Sequence, residues 1–312
     1  MERIGRYELR DKLGQGGMGV VYRAYDTLLE RVVAVKLISG TIEENPDLRE
    51  RFFREARAAG QLSHRNIITI HDLGEHEGLP YLAMEYLDGE DLQRRMAGHD
   101  KLSLAHKLDL AIEICEGLEF AHSHNVIHRD IKPANIFITD RGRVKLLDFG
   151  LARLVTSELT HSNMMMGTIN YMAPEQVRGE RADHRSDVFA TGVVIYEMLS
   201  GRKAFQGDSF AATLYQILQQ VPEPLDKIDP SLPWQMVAIV DRALAKPRDE
   251  RYQSIGDMLR DLIAVRQQHQ LSDAPTAYRS AIATGPLSPL PQPAINIGSG
   301  AQRPASGAPG SG

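Results

Sequence analysis

The 312-residue sequence has a single cysteine, Cys115, so no disulfide can form within the chain. The apolar residues around Cys115 have the spacing of a buried helix, which predicts a core thiol and not a reactive one. No run of about eighteen apolar residues occurs, and the charged N-terminus does not resemble a signal peptide. We therefore expect a soluble, cytoplasmic protein.

Basic residues are not in excess, because 36 Lys and Arg stand against 41 Asp and Glu and the formal net charge is −5. Proteins that bind the phosphates of nucleic acids carry a basic surface, so we do not expect binding to DNA or RNA. The hydrophobic content of 42% is enough for a sizeable core in a globular chain of this length.

Two regions with different hydrophobic periodicity and a tail make up the chain. From 7 to 86, alternating runs such as GVVYRAYD predict strands, and DLRERFFREARAAGQL predicts one prominent helix. From 87 to 267, long amphipathic stretches predict a mainly helical region. Residues 268–312 are rich in Pro, Ser, Gly and Ala, which predicts a disordered tail or a juxtamembrane linker.

One loop-like segment, HRDIKPAN at 128–135, is followed by Asp148-Phe149-Gly150. Phosphoryl transfer needs a carboxylate to orient the attacking hydroxyl, a cation beside the moving group and oxygen ligands for Mg²⁺. Four residues of these segments can supply those parts: Asp130, Lys132, Asn135 and Asp148. A chance pairing of two loop motifs would require their spacing, the lysine and the asparagine to coincide as well.

A glycine-rich stretch, Gly14-Gln15-Gly16-Gly17-Met18-Gly19-Val20-Val21, fits the pattern G-x-G-x-x-G-x-V. Glycines allow backbone amides to approach phosphates without interference from Cβ atoms. The alternative is a dinucleotide-binding turn, which must open a helix. Because these glycines lead into β-branched and aromatic residues, we predict a β-hairpin over the phosphates of ATP.

Together, these motifs resemble those of the eukaryotic-type (Hanks-type) protein Ser/Thr kinases, most closely the bacterial members. The resemblance implies a bilobal α+β fold, with a mainly β small lobe at 7–86 that carries one regulatory helix and a mainly α large lobe at 87–267. It implies ATP and Mg²⁺, with Mn²⁺ as an alternative ion, and protein substrates that offer serine or threonine hydroxyls.

The resemblance also assigns chemical roles. Asp130 would orient the hydroxyl and accept its proton, Lys132 would neutralise charge on the γ-phosphate, and Asn135 and Asp148 would bind the metal. A lysine at 132, followed by proline, distinguishes Ser/Thr kinases from tyrosine kinases in this family. Thr168 would contact the lysine and the catalytic aspartate; a simple turn residue is the alternative.

Lys36, at the end of the strand VAVK, would hold the α- and β-phosphates. The resemblance implies that Lys36 pairs with Glu55 when the regulatory helix swings inward, which makes that helix a switch. The alternative for Glu55 is a surface carboxylate among neighbouring arginines.

The rest of the nucleotide pocket is also assigned by resemblance. Met84 would be the gatekeeper, the backbone of Glu85 and Leu87 would bind adenine, and Asp91 would hold the ribose hydroxyls. The full set of expected ATP-binding residues is Leu13, Gly14, Gln15, Gly16, Gly17, Met18, Gly19, Val20, Val21, Ala34, Lys36, Glu55, Met84, Glu85, Leu87, Asp91 and Phe137.

Arg129 stands where a guanidinium would clamp a phosphorylated activation segment. Four residues are candidate phosphorylation sites in that segment: Thr156, Ser157, Thr160 and Ser162. The sequence does not choose among them, and the alternative is that loops are simply rich in serine and threonine. We expect autophosphorylation there, with a homodimer as one route.

Two other functions are alternatives to a protein kinase: a nucleotide-binding pseudokinase that acts as a scaffold, and a small-molecule kinase. The chain could also be the cytoplasmic part of a longer membrane-anchored kinase.

Overall fold

The structure, a computed structural model, describes residues 2–16, 19–38, 45–98, 102–149 and 169–273. The chain divides into two compact units, 1–270 and 271–312. The second unit contributes only the end of the last helix to the described residues. That helix continues into the segment predicted as a tail, and the remainder of the predicted tail lies outside the described residues.

The small lobe is built on an antiparallel sheet. Its strands are β1 (Arg3–Ile4), β2 (Tyr7–Gly16), β3 (Gly19–Asp26), β4 (Arg31–Ile38), β5 (Ile70–His76) and β6 (Leu79–Glu85). They are hydrogen-bonded in the order β1-β2-β3-β4-β6-β5. The helix α1 (Pro46–Gly60) covers one face of this sheet through its buried residues.

Strand β4 is buried on both faces because its alternating side chains enter two different apolar clusters. Val33 and Val35 pack with Tyr7 on one face. Ala34 and Ile38 pack against α1 on the other. Lys36 lies between Ala34 and Ile38 at two-residue spacing, so its side chain lies on the same face of the strand, toward α1.

Helix α1 begins where the sequence provides a cap. The Asn45 side chain accepts hydrogen bonds from the backbone N–H groups of Asp47 and Leu48, at 3.0 and 3.3 Å, and proline occupies the first turn. Its buried positions recur at helical spacing. Leu48, Phe52 and Ala56 pack in the apolar cluster on this face of the sheet, and Ala59 packs in the cluster of the large lobe.

The large lobe is mainly helical. Its helices are α2 (Leu92–Ala97), α3 (Leu104–Ser123), α4 (Pro174–Val177), α5 (His184–Ser200), α6 (Phe210–Gln219), α7 (Leu225–Ile228), α8 (Trp234–Ala243) and α9 (Ile255–Asp273). Helix α5 is buried along most of its length, and Cys115 of α3 is fully buried, which confirms the predicted core thiol. Among the described residues, no helix has the length and apolar content needed to cross a membrane.

A small sheet at the base of the cleft brings the predicted chemical residues together. Its strands are β7 (Gly89–Asp91), β8 (Ile136–Thr139) and β9 (Val144–Leu146), in that order. Strands β8 and β9 are antiparallel, so the residue before β8 and the residues after β9 meet. The Leu147 N–H accordingly donates to the Asn135 carbonyl at 2.9 Å. The bilobal α+β fold with a strand-rich small lobe and a helical large lobe is confirmed.

Candidate active site

The Asp130 carboxylate is held by two neighbours in its own loop. Lys132 Nζ lies 2.8 Å from Asp130 Oδ2, and Asn135 Nδ2 donates to the same oxygen at 2.8 Å. Asn135 Nδ2 also donates to the Asp130 backbone carbonyl at 2.9 Å. The 3₁₀ turn Pro133–Asn135 curls the chain back far enough for these contacts. Three predicted residues therefore form one hydrogen-bonded group.

The backbone before Asp130 is braced from α5. Asp187 Oδ2 accepts the His128 N–H at 2.8 Å, and its Oδ1 accepts the Arg129 N–H at 2.7 Å. His122 Nε2 lies 2.8 Å from Asp187 Oδ2. Burial alone would raise the pKa of Asp187, but His122 and the backbone donors outweigh it and keep that pKa below the ordinary value. The carboxylate therefore stays ionised and fixes the loop.

His128 packs beneath the site and is fully buried. Its Nε2 donates to the Leu147 carbonyl at 2.8 Å, its Nδ1 accepts the Asp130 N–H at 3.3 Å, and its ring lies 4.4 Å from that of Phe149. Burial lowers the pKa of His128, in keeping with a neutral ring that uses one nitrogen as donor and the other as acceptor. Its role is therefore to support the loop and not to act as a base.

Lys36 reaches from β4 to Asp148. Its Nζ lies 2.7 Å from Asp148 Oδ1, and Lys36 is only 6% exposed. Burial alone would raise the pKa of Asp148, but the Lys36 ammonium outweighs it, and the pKa lies below its ordinary value. Asp148 itself has a left-handed backbone, with φ of 57°. An ionised carboxylate is therefore available at the predicted metal position.

The expected Lys36–Glu55 ion pair is not formed in this structure. Glu55 Oε2 lies 3.7 Å from Arg129 Nη1, and Glu55 Oε1 lies 3.5 Å from Arg54 Nη2. The Glu55 side chain is 18% exposed, so a solvated surface carboxylate does not describe it either. The physical reason is the position of α1: it brings Glu55 to Arg129, and Lys36 uses Asp148 as its counter-ion instead.

The glycine-rich stretch forms a β-hairpin and not the start of a helix. Gly14 pairs with Val21, Gln15 with Val20, and Gly16 with Gly19. Gly19 has φ of 140°, and a Cβ there would lie 1.8 Å from the Leu37 carbonyl oxygen. Only glycine fits so close to the neighbouring strand. Leu13, at the edge of the hairpin, is 41% exposed.

Four residues of the predicted nucleotide pocket pack in one apolar cluster. Ala34 and Met84 are paired in register across β4 and β6 and are both buried. Val21 and Leu87 are partly buried and pack against the same apolar cluster. This cluster supplies apolar side chains of the kind that line ligand pockets.

Glu85 is committed to neighbouring groups. Its Oε1 accepts the Thr69 N–H at 2.7 Å and lies 2.6 Å from Lys145 Nζ, while its own N–H donates to the Thr69 carbonyl at 2.9 Å. Of its backbone groups, the carbonyl is the one that adenine could use.

Asp91 and Phe137 are register partners on β7 and β8, on the floor of the cleft. Asp91 also caps α2, because its Oδ1 accepts the Arg94 N–H at 2.8 Å. The sequence did not predict this capping contact, although an Asp directly before a helix is its usual signal.

The sequence model of the protein kinase domain matches residues 7–277. The chain belongs to the protein kinase domain family. A probable serine/threonine-protein kinase of Streptomyces coelicolor is 40% identical over 288 residues, or 90% of this chain and 42% of that protein. The serine/threonine-protein kinase PknB of Mycolicibacterium smegmatis is 40% identical over 293 residues, or 92% of this chain and 47% of that protein. The chain thus spans less than half the length of these relatives, and it is a Hanks-type domain of the bacterial branch.

The crystal structure of the Mycobacterium tuberculosis PknI kinase domain is similar to this one, with a TM-score of 0.69 at 26% identity. The match covers 84% of this chain and 97% of that chain. Some residues predicted for this kinase domain lie outside the described residues: Gly17, Met18, Thr156, Ser157, Thr160, Ser162 and Thr168.

The large lobe of this kinase domain contains a buried ion pair between Glu175 and Arg251. Arg251 donates from Nη1 to Glu175 Oε1 at 2.8 Å and from Nη2 to Oε2 at 2.9 Å, and Ser186 Oγ donates to Glu175 Oε1 at 2.7 Å. Both charged side chains are almost fully buried.

Gln176 is the functional candidate that the sequence did not indicate. Its Nε2 donates to the Arg129 carbonyl at 2.9 Å, and its Oε1 accepts the Ala173 N–H at 2.9 Å. The one available signal was its place directly after Glu175, which belongs to the buried ion pair. Nothing in the local pattern tells which distant carbonyl a glutamine will reach.

Proposed function

We propose that this chain transfers the γ-phosphoryl group of ATP to serine and threonine hydroxyls of proteins. The observation that carries the proposal is the pair of 2.8 Å hydrogen bonds on Asp130 Oδ2, from Lys132 and Asn135. A carboxylate held in this way can orient an acceptor hydroxyl and take its proton as the new P–O bond forms. The names of the relatives support serine and threonine as acceptors.

The remaining groups of the cleft fit a magnesium-dependent reaction. The Asp148 carboxylate and the Asn135 amide oxygen are hard oxygen donors of the kind that Mg²⁺ and Mn²⁺ prefer. A divalent ion would neutralise charge on the β- and γ-phosphates. Lys132 would stabilise charge on the transferring group. Lys36 would leave Asp148 and bind the α- and β-phosphates, which would then balance its charge.

We further propose that the arrangement described is a resting one and that α1 is the switch. Activity would require Glu55 to leave Arg129 and pair with Lys36. Phosphorylation in the activation segment would favour this exchange, because a phosphate carries about −1.5 to −2 charges and competes well for Arg129. The candidate acceptors are Thr156, Ser157, Thr160 and Ser162, and Thr168 would help to orient the catalytic pair.

The partners follow from the same chemistry. Protein substrates would dock beside the catalytic loop, and a second copy of the chain would serve as substrate during trans-autophosphorylation. We propose a cytoplasmic location, since ATP is the phosphoryl donor.

The test is phosphate transfer from labelled ATP by the purified 312-residue chain, with mass spectrometry to map the products. Asp130→Asn should slow transfer by about 100-fold or more, while ATP binding persists. Asp140→Asn, an exposed aspartate in the same lobe, is the matched control and should behave as the wild type. Absence of label in the wild type, with ATP still bound, would favour the scaffold alternative instead.

A further inference from the structure

The residue directly before Asp130 has an unusual backbone. Arg129 has φ of 66°, in the left-handed region that side chains other than glycine rarely occupy. Such a conformation persists only where surrounding contacts hold it, and it is found most often at functional sites. The peptide group that links Arg129 to Asp130 sets the direction in which the Asp130 side chain leaves the loop.

Contacts from two helices hold this residue at both of its peptide groups. Asp187 of α5 accepts the Arg129 N–H at 2.7 Å. On the other side, Gln176 of α4 donates from Nε2 to the Arg129 carbonyl at 2.9 Å. That carbonyl belongs to the peptide group shared with Asp130. Gln176 therefore limits rotation of the last peptide plane before the catalytic carboxylate.

The Gln176 side chain is itself fixed. Its Oε1 accepts the Ala173 N–H at 2.9 Å, so the amide cannot turn without losing both bonds. Its neighbour Glu175 is tied to Arg251 and Ser186 in the buried core. A primary amide can accept from one backbone N–H and donate to another carbonyl at the same time, which an ionised carboxylate of the same size cannot do. The contact thus transmits the position of an anchored helix to the catalytic loop.

We propose that Gln176 is a positioning residue for phosphoryl transfer. It sets the orientation of Asp130 through the Arg129 carbonyl and couples that orientation to the segment at residues 169–173, which leads into α4. The role rests on the proposed kinase function. If Gln176 has this role, its substitution should slow the chemical step without weakening nucleotide binding or destabilising the fold.

The sharpest variant is Gln176→Glu. It preserves the size of the side chain and the acceptor for Ala173, but it places an oxygen against the Arg129 carbonyl where a donor stood. Gln176→Ala removes both contacts without adding charge. Gln216→Glu is the matched control: Gln216 Oε1 accepts the Gln206 N–H at 2.7 Å and its Nε2 donates to the Gln206 carbonyl at 3.4 Å, on α6.

The experiment is a rapid-quench measurement of the first turnover, together with KM for ATP and the melting temperature of each variant of the 312-residue chain. Both Gln176 variants should slow the burst of phosphoryl transfer by about tenfold to a hundredfold, the scale of a small misplacement of a reacting group. KM for ATP and the melting temperature should stay at the wild-type values. Gln216→Glu should leave all three quantities unchanged.

Three results would overturn the role. A wild-type burst in Gln176→Glu would show that the contact is dispensable, and a slow burst accompanied by a lower melting temperature would reduce it to a helix cap. A defect in Gln176→Glu that is absent from Gln176→Ala would arise from the added charge. If the wild-type chain transferred no phosphate at all, the proposed kinase function itself would be wrong. A defect confined to the Gln176 variants leaves that function intact, so the two failures can be told apart.

Discussion

Lys36 Nζ lies 2.7 Å from Asp148 Oδ1, so the lysine expected to hold ATP phosphates is paired with the aspartate expected to hold the metal. Glu55, the partner that the resemblance implies for Lys36, lies against Arg129 instead. Lys36 and Glu55 therefore both have different partners here from those expected during phosphoryl transfer.

A double-mutant cycle should detect these partners in the unphosphorylated chain. We expect Lys36→Met and Asp148→Asn to couple by about 1.5–3 kcal/mol in the free energy of unfolding, the range for hydrogen bonds to charged groups. Lys36→Met and Glu55→Gln should couple by less than about 0.5 kcal/mol, because these side chains form no ion pair here. Urea denaturation measures both values. Equal coupling in the two cycles would contradict the partner assignment.

The buried pair of Glu175 and Arg251 should dominate the stability of the large lobe. Arg251→Met strands a buried carboxylate and should lower the free energy of unfolding by about 3–5 kcal/mol in urea. Arg202→Met is the control, because its ion pair with Glu223 is exposed and should contribute about 1 kcal/mol or less.

The same pair predicts a pH dependence. Burial alone would raise the pKa of Glu175, but Arg251 and Ser186 outweigh it, so that pKa lies below the ordinary value. A lowered carboxyl pKa contributes stability that is complete above the ordinary value of about 4.3 and is lost as the pH falls through the folded-state pKa. In Arg251→Met burial acts without its main opposing partner and raises the Glu175 pKa, so the stranded carboxylate is protonated in the variant before it is protonated in the wild type. The stability difference between wild type and Arg251→Met should therefore be largest at high pH and shrink steadily as the pH falls. A difference that grew in acid would refute this account.

Arg65 makes an ion pair with Glu116 of α3, with 2.6 Å between Nη2 and Oε2. Arg65 is 56% exposed, so the pair should contribute only about 0.2–1 kcal/mol. A cycle of Arg65→Ala and Glu116→Gln should show that coupling at low salt and lose most of it near 1 M NaCl, where charges are screened within about 3 Å. Coupling that persisted in high salt would mean that packing, and not charge, links these residues.

Much of the site was predictable because its chemistry lies in short contiguous motifs. Asp130, Lys132 and Asn135 are within one loop, and the antiparallel pairing of β8 with β9 brings Asp148 to them. The hairpin was predictable because β-branched residues follow the glycines. The partner of Lys36 was not, because it depends on where α1 packs.

Gln176 and Asp91 show a different limit. Each side chain makes its contact with a backbone group, and sequence patterns carry no information about which distant carbonyl a side chain will reach. The cap that Asp91 provides for α2 is local and could have been inferred from the helix that follows. The bond from Gln176 to Arg129 joins residues far apart in the chain and required the fold.

The single cysteine of the chain lies in α3 without solvent exposure, and burial raises the pKa of its thiol, so it is shielded and protonated at neutral pH. A fluorophore with a maleimide group would therefore leave Cys115 unlabelled. Arg51→Cys, on the exposed side of α1, would provide one reactive handle without prior removal of a native thiol. The swing of that helix can then be followed by fluorescence in real time as ATP, Mg²⁺ or a phosphorylated activation segment is supplied.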